Sequence, residues 1–94
     1  MGQGARGSNT DPGGKLVKLY PNPAQSYVTF EVPKGQKGVN IIVFNFLGKK
    51  MSESPNVTDK TTVSLTDFNR GMYIYHLTDA SGKVLEMGKF QVSK

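Results

Sequence analysis

The 94-residue sequence contains no cysteine and no tryptophan. Without thiols the chain cannot form a disulfide or offer a thiolate ligand to a metal ion, so its stability must come from an apolar core. No apolar run approaches the roughly 20 residues that a membrane-spanning helix needs. The longest run, Ile41–Phe44, has the length of a strand. The start of the chain lacks the charged and then apolar pattern of a signal peptide, so an exported protein would need its signal upstream in a longer precursor.

The sequence also has little that could perform catalysis. Its single histidine, His76, lies in a segment that alternates like a strand, and no nucleophile-elbow sequence is present to supply the serine of a triad. The acidic residues are spread singly over turns, so no closely spaced pair offers a general acid and a general base. The sequence therefore predicts a domain without catalytic activity, cofactor or metal site.

The charge is basic but dispersed. Twelve lysine and arginine residues against seven acidic ones give a formal net charge of +5. That balance favours nucleic acid or another anionic partner. However, no basic run exceeds two residues, and Tyr73 and Tyr75 fall on the inward face of their predicted strand, where they cannot stack on bases. We therefore predict solvated basic side chains and no nucleic-acid binding.

Composition divides the chain into two parts. Residues 1–14 hold five of the eleven glycines and no large apolar side chain, so they cannot bury enough surface to offset the entropy of ordering. We interpret residues 1–14 as a flexible leader, either a native linker or a remnant of cloning. Residues 15–94 are the length of one small domain.

The domain reads as a series of short strands. Valine, isoleucine, phenylalanine, tyrosine and threonine are frequent, and turn residues recur at intervals of about ten. Strands are predicted at residues 15–20, 26–32, 39–46, 61–65, 72–78 and 83–93, with a turn at 33–38, a short edge strand at Met51 and a loop at 53–60. Val39–Phe46 is apolar on both faces, so it is central or its second face is covered by a loop or a partner. About seven antiparallel strands of this kind predict an all-β, immunoglobulin-like β-sandwich.

Two aromatic residues mark a corner before the penultimate strand. Phe68 is predicted to close one end of the core. Tyr73 follows the corner, where a tyrosine of an immunoglobulin-like sandwich can send its hydroxyl back to the backbone. An ordinary core position for Tyr73 is an equal alternative.

Four motifs punctuate the strands in order. They are Leu19–Ala24 (LYPNPA), Asn45–Lys49 (NFLGK), Leu65–Tyr73 (LTDFNRGMY) and Lys89–Lys94 (KFQVSK), the last of which ends the sequence. Each motif alone is common. The four in this order resemble the C-terminal sorting domain (type A) of cargo for the type IX secretion system of Bacteroidetes, over roughly residues 16–94.

The resemblance implies a small immunoglobulin-like sandwich that directs an N-terminal passenger across the outer membrane. In many cargoes the domain is then removed, and the passenger is anchored to surface lipopolysaccharide. The implied partners are the type IX translocon and associated outer-membrane sorting proteins, without stable insertion into the membrane. The implied location of the cargo is secreted or on the cell surface, reached through the periplasm and the outer membrane.

The resemblance also singles out residues by position. They are Pro21, Asn22, Pro23, Gly71, Tyr73, Gly88, Lys89, Val92 and Lys94. Lys89, Val92 and Lys94 are expected to contact the translocon, with an accessible edge on the last strand as one way for a partner to bind. The alternative for Phe90 and Val92 is that they close the core. The family often has a larger apolar residue beside the terminal valine, where this chain has Gln91 and Ser93.

Two other functions stay open at this point. The first is a carbohydrate- or surface-binding accessory module of a secreted enzyme, in which Tyr20, Tyr27, Phe44 or Phe46 would supply an exposed aromatic platform. The lack of tryptophan argues against it. The second is a structural spacer, which would neither bind nor direct export.

Overall fold

The computed structural model describes residues 16–33 and 38–94. In these ranges the chain forms seven strands and no helix. The strands are β1 (Lys18–Tyr20), β2 (Tyr27–Glu31), β3 (Val39–Asn45), β4 (Lys50–Val57), β5 (Lys60–Ser64), β6 (Gly71–Thr78) and β7 (Val84–Val92). The predicted leader at residues 1–14 and most of the predicted turn at 33–38 lie outside the described residues.

The strands form two sheets. One has the order β1-β2-β5 and the other the order β4-β3-β6-β7. Every neighbouring pair of strands within a sheet is antiparallel. β3–β4 and β6–β7 are hairpins, whereas the β2–β3, β4–β5 and β5–β6 connections pass from one sheet to the other. This confirms the predicted all-β, immunoglobulin-like sandwich.

The core lies between the sheets and is built from alternate strand positions, because successive side chains of a strand point to opposite faces. Its largest fully buried side chains are Val28, Phe30, Ile41, Val43, Leu65, Tyr75, Leu77, Phe90 and Val92. The ring of Phe30 lies edge-on to Tyr75 at 5.4 Å and to Phe90 at 5.7 Å between centroids. Such edge-to-face pairs add to the apolar burial. Phe68 is also buried and packs on Tyr73 at 4.9 Å, so it closes one end of the core as predicted.

The predicted loop at residues 53–60 is wrong. Lys50–Val57 is the edge strand β4, which pairs with β3. Its polar residues and Pro55 carry no strand propensity, but pairing with an apolar central strand overrides propensity. Pro55 and Asn56 lie where the β3–β4 register shifts, and proline is tolerated at such a bulge on an edge strand. The side-chain Oδ1 of Asn40 accepts the Asn56 N–H at 3.1 Å.

Gly88 lies where the ring of Tyr75 crosses β7. The two residues are direct partners in the β6–β7 register. A Cβ atom on Gly88 would lie 2.6 Å from Cε2 of Tyr75 and 2.8 Å from its Cζ. The position therefore needs glycine so that the Tyr75 ring can pass over the strand.

Substitution of Gly88 by alanine should destabilise the domain. The added methyl group collides with a buried ring, and overpacking of this kind costs about 1–3 kcal/mol. Urea unfolding followed by circular dichroism measures the change. Gln91→Ala, at an exposed position of the same strand, serves as control and should change the free energy of unfolding by less than about 0.5 kcal/mol. Equal effects of the two substitutions would contradict the steric argument.

Candidate functional site

One end of the sandwich joins the first and last motifs. The Ala24 N–H donates to the Gln91 carbonyl at 2.8 Å, and the Ser93 N–H donates to the Ala24 carbonyl at 2.8 Å. These bonds form an isolated parallel bridge between Ala24 and Val92. The Gln91 N–H donates to Oδ1 of Asn22 at 3.2 Å. The Pro-Asn-Pro segment is thus fastened to the end of β7.

The C-terminal lysine joins the third motif to this end. The Nζ atom of Lys94 donates to the Leu65 carbonyl and to the Thr66 carbonyl, the latter at 3.3 Å. The Leu65 N–H in turn donates to the Ser26 carbonyl at 3.0 Å. We call residues Pro21–Ser26, Leu65–Thr66 and Gln91–Lys94 the motif end.

The surface of the motif end carries two shallow clefts. One cleft of about 360 Å³ is lined by Pro21, Pro23, Gln25, Ser26, Tyr27 and Ser93. A second of about 340 Å³ is lined by Gln25, Ser26, Leu65, Thr66 and Lys94. Pro21, Asn22 and Pro23 are exposed, and both prolines follow cis peptide bonds. Proline has no N–H to donate, so this segment leaves the β1–β2 ladder and crosses to β7.

The corner motif adjoins the motif end. Gly71 pairs with Val92 in the β6–β7 register and has a φ of 150°, a conformation that an L side chain rarely adopts. The Tyr73 hydroxyl donates to the Asn69 carbonyl at 2.7 Å. Of the two alternatives for Tyr73, the structure therefore supports the hydroxyl that reaches back to the corner.

The second motif lies at the same end of the four-stranded sheet, because Asn45 pairs with Tyr73 at the start of β6. The side-chain Oδ1 of Asn45 accepts the N–H groups of Leu47 and Lys49, each at 2.9 Å. This turns the chain from β3 into β4. All four motifs thus lie at one end of the fold.

The predicted site residues fall into two groups. Seven of them lie in or beside the motif end, namely Pro21, Asn22, Pro23, Gly71, Tyr73, Val92 and Lys94. Val92 is fully buried, so its side chain contributes to the core. Gly88 and Lys89 lie further back along β7, where Gly88 meets Tyr75 and the exposed Lys89 pairs with Ile74 on the outer side of the sheet.

The edge of β7 is partly covered. Both backbone groups of Gln91 that face away from β6 are bonded to Asn22 and Ala24. An added strand therefore could not pair along the last residues of β7 unless it displaced the Asn22–Ala24 segment. Recognition by edge addition does not fit this part of the strand.

Sequence reasoning missed Glu86. Its carboxylate accepts the Tyr75 hydroxyl at 2.9 Å and the N–H groups of Leu16 at 2.6 Å and Val17 at 3.2 Å. Burial, and then the hydrogen bond to Glu86, raise the pKa of Tyr75 well above its usual value. Glu86 thereby ties the first described residues to β7. The sequence could have indicated Glu86 by its position, because strand alternation places it on the same inward face of β7 as Phe90 and Val92.

The four aromatic residues considered as a platform for a carbohydrate- or surface-binding module lie in different parts of the fold. Tyr20 and Tyr27 are exposed on the outer side of the three-stranded sheet, and the Tyr20 hydroxyl donates to Glu31 at 3.0 Å. Phe44 lies on the outer side of the other sheet beside His76, with ring centroids 4.7 Å apart. Phe46 is exposed in the β3–β4 turn. The four rings therefore do not form one continuous platform.

Metal-ligating side chains are not grouped in the part of the chain that the structure describes. No set of three or more histidine or acidic side chains there is placed to hold a metal ion. In the same residues no helix is long and apolar enough to cross a membrane. What the four motifs build together is a surface, so the fold and the site define a β-sandwich of the recognition or signal class.

Comparison with known proteins identifies the signal. The family model described as "Secretion system C-terminal sorting domain" matches residues 18–91. The chain belongs to this family of type IX sorting domains, which are non-catalytic signal domains of cargo that is secreted or attached to the cell surface. Its function is that of a C-terminal secretion sorting signal.

A curated relative agrees with this assignment. The chain is 33% identical over 75 residues to beta-agarase A from Zobellia galactanivorans. The match covers 80% of this chain but 14% of the relative, so the chain spans about one-seventh of that protein's length. No solved structure matches the chain.

Replacement of Tyr73 by phenylalanine tests the corner. Loss of the hydroxyl leaves the Asn69 carbonyl without this donor, which should lower the free energy of unfolding by about 1 kcal/mol. Urea unfolding of the purified chain measures it. Tyr27→Phe removes a hydroxyl from an exposed position and should change stability by less than about 0.5 kcal/mol. If the two variants were equally stable, the Tyr73 hydrogen bond would have no net effect.

Alkaline pH should destabilise the domain through Tyr75. The unfolded chain ionises this phenol near its ordinary pKa of about 10, whereas the folded domain keeps it neutral to higher pH. The stability that Tyr75 contributes is therefore fully present below about pH 10 and is lost as the pH rises from there towards the folded pKa. Urea midpoints measured between about pH 9 and 11 should fall more steeply for the wild type than for Tyr75→Phe. Parallel curves would contradict the raised pKa.

Proposed function

We propose that this domain carries a passenger joined to its N-terminus to the type IX translocon and associated outer-membrane sorting proteins, and that these proteins read the motif end. In this proposal the domain itself performs no reaction, residues 1–14 are linker, and neither nucleic acid nor stable membrane insertion is involved. The observation that carries the proposal is the contact set that joins the Pro-Asn-Pro segment, the corner and the terminal motif at one end.

The contacts of the motif end explain why widely spaced motifs could act as one signal. Ala24, Ser93 and Lys94 form hydrogen bonds with partners about 30 to 70 residues away in the chain. The motif end therefore exists only when the strands have folded and the C-terminal residues are present. A sorting protein that binds the motif end would therefore accept only cargo whose synthesis is complete and whose sorting domain is folded.

The predicted site residues divide by exposure into two roles. Pro21, Pro23 and Lys94 are exposed at or beside the clefts and are assigned to contact the reader. Tyr73 and Val92 are buried and are assigned to shape the end from below. This replaces direct contact by Val92 with the alternative that it closes the core.

Export of a reporter fused to the N-terminus of the chain tests the proposal. The fusion carries a Sec signal peptide in a bacterium that has the type IX system. Wild-type reporter should reach the surface or the medium, and disabling the translocon should abolish this. Lys94→Ala and Gln25→Arg should each reduce export several-fold. The first removes the hydrogen bonds from Lys94 to the Leu65 and Thr66 carbonyls, and the second places a long charged side chain on the wall that both clefts share.

A matched control places the same charge at the opposite end. Ala80 is exposed in the β6–β7 turn, so Ala80→Arg should leave export unchanged. Thermal melts of the purified variants separate a recognition defect from unfolding. Full export of Gln25→Arg and Lys94→Ala would refute the motif end as the signal, while a wild-type reporter retained in the cell would refute the export function.

A further inference from the structure

The outer side of the four-stranded sheet is apolar along its centre. We call it the outer face and define it by the side chains that point away from the core on β3, β6 and β7: Ile42, Phe44, Met72, Ile74, His76, Leu85, Met87 and Lys89. Met72 is 44% exposed, Leu85 39% and Met87 55%, while Ile42, Phe44, Ile74 and His76 are half-buried. Isolated exposed apolar residues are common, but a contiguous apolar sheet face marks an interaction surface.

Strand register arranges the outer face and the adjoining side chains of β4 in two rows. Glu53, Ile42, His76 and Met87 are successive cross-strand partners from β4 to β7. Lys50, Phe44, Ile74 and Lys89 form the adjacent row. In the second row both margins are lysines and the middle is apolar, as in a protein interface with an apolar centre and a polar rim, whereas the first row is charged only at Glu53 and ends in Met87.

The two margins differ in charge. On β4, the Lys50 ammonium and the Glu53 carboxylate are 2.9 Å apart and neutralise each other. This is the one ion pair among residues 16–33 and 38–94. On β7, Lys89 is exposed and pairs in register with Ile74. The acid nearest to it along β7, Glu86, points inward and is held by Tyr75, Leu16 and Val17.

Lys89 also borders a groove. The groove has a volume of about 410 Å³ and is lined by Ile74, Met87, Gly88 and Lys89. Its lining is apolar except for the Lys89 ammonium. A side chain that entered the groove would therefore meet aliphatic walls and a single positive charge.

We propose that the outer face docks a protein of the secretion machinery whose surface is apolar and presents an aspartate or glutamate carboxylate to Lys89. The proposal deepens the export function by naming a second surface and the chemistry of its partner. Charge complementarity selects this partner, because burial of Lys89 without an opposite charge would be costly whereas pairing with a carboxylate offsets the loss of hydration.

Other occupants fit the charges less well. In a dimer through this face, each copy would bury Lys89 against a surface whose one acid, Glu53, is already paired. An anionic membrane is held by clusters of several basic residues, whereas the outer face has only Lys89 unneutralised. The face therefore suits neither a second copy nor a lipid surface.

Variants of Lys89 test the proposal in the same export assay. Lys89→Glu should reduce export several-fold, because like charges would then meet, and Lys89→Arg should keep it. Lys89→Gln should reduce export more than Lys60→Gln, which removes the same charge from an exposed position in the other sheet. Lys89 and Lys60 are both exposed, so thermal melts of the four variants should match that of the wild type.

The outcomes separate the docking surface from the export function. Normal export of Lys89→Glu, with wild-type export still dependent on the translocon, overturns the docking surface and leaves the function standing. A wild-type fusion that is not exported overturns the function itself.

Cross-linking identifies the occupant. A photoreactive phenylalanine analogue at Met72 in exporting cells should attach to a secretion protein at a peptide that contains apolar residues and a carboxylate. The yield should fall in Lys89→Glu, and the same analogue at Tyr27, on the opposite sheet, should not give this product. Cross-links between two copies of the chain would overturn the proposal. So would flotation of the purified chain with phosphatidylglycerol vesicles that is lost in Lys89→Glu.

Discussion

The parallel bridge between Ala24 and Val92 is the constraint on which the rest of the site depends. It is made of two backbone hydrogen bonds, from Ala24 to Gln91 and from Ser93 to Ala24, each 2.8 Å long. In a chain without cysteine, such contacts have to close the open end of the sandwich. They hold the first motif against the last strand, cover part of the β7 edge and place Lys94 within reach of the corner. The same bonds therefore stabilise the fold and build the surface that we propose as the signal.

The strand pattern of the sequence predicted most of the sandwich because burial on one face leaves period-two alternation in the residues. Val28 and Phe30, or Tyr73 and Tyr75, carry that signal by themselves. β4 does not carry it, since an edge strand with a polar outer side and Pro55 at a bulge reads as a loop. Only its pairing with β3 makes it a strand, and such pairing between separate segments leaves no local trace.

The four motifs could be recognised in the sequence, but the contacts among them could not. The order of the four motifs indicated the family, and the antiparallel topology explains why they meet, because the end of β3, the start of β6 and the end of β7 lie at one end of the same sheet. The partners of individual groups could not be predicted. Lys94 binds backbone carbonyls, which every residue has, and Glu86 binds N–H groups some 70 residues away. Neither contact leaves a sequence pattern.

The terminal motif contributes to two surfaces because it lies on a strand. Phe90 and Val92 point into the core, whereas Lys89 and Gln91 point outward. The alternation of side chains along β7 therefore divides this short motif between the core and the outer side of the sheet. Lys94, beyond the strand, belongs to the motif end. A domain of this size buries only about 60% of the surface of its unfolded chain, so apolar side chains remain outside the core. Their grouping on one sheet face, with the other margin neutralised by Lys50 and Glu53, leaves Lys89 as the charge that the proposed partner would have to match.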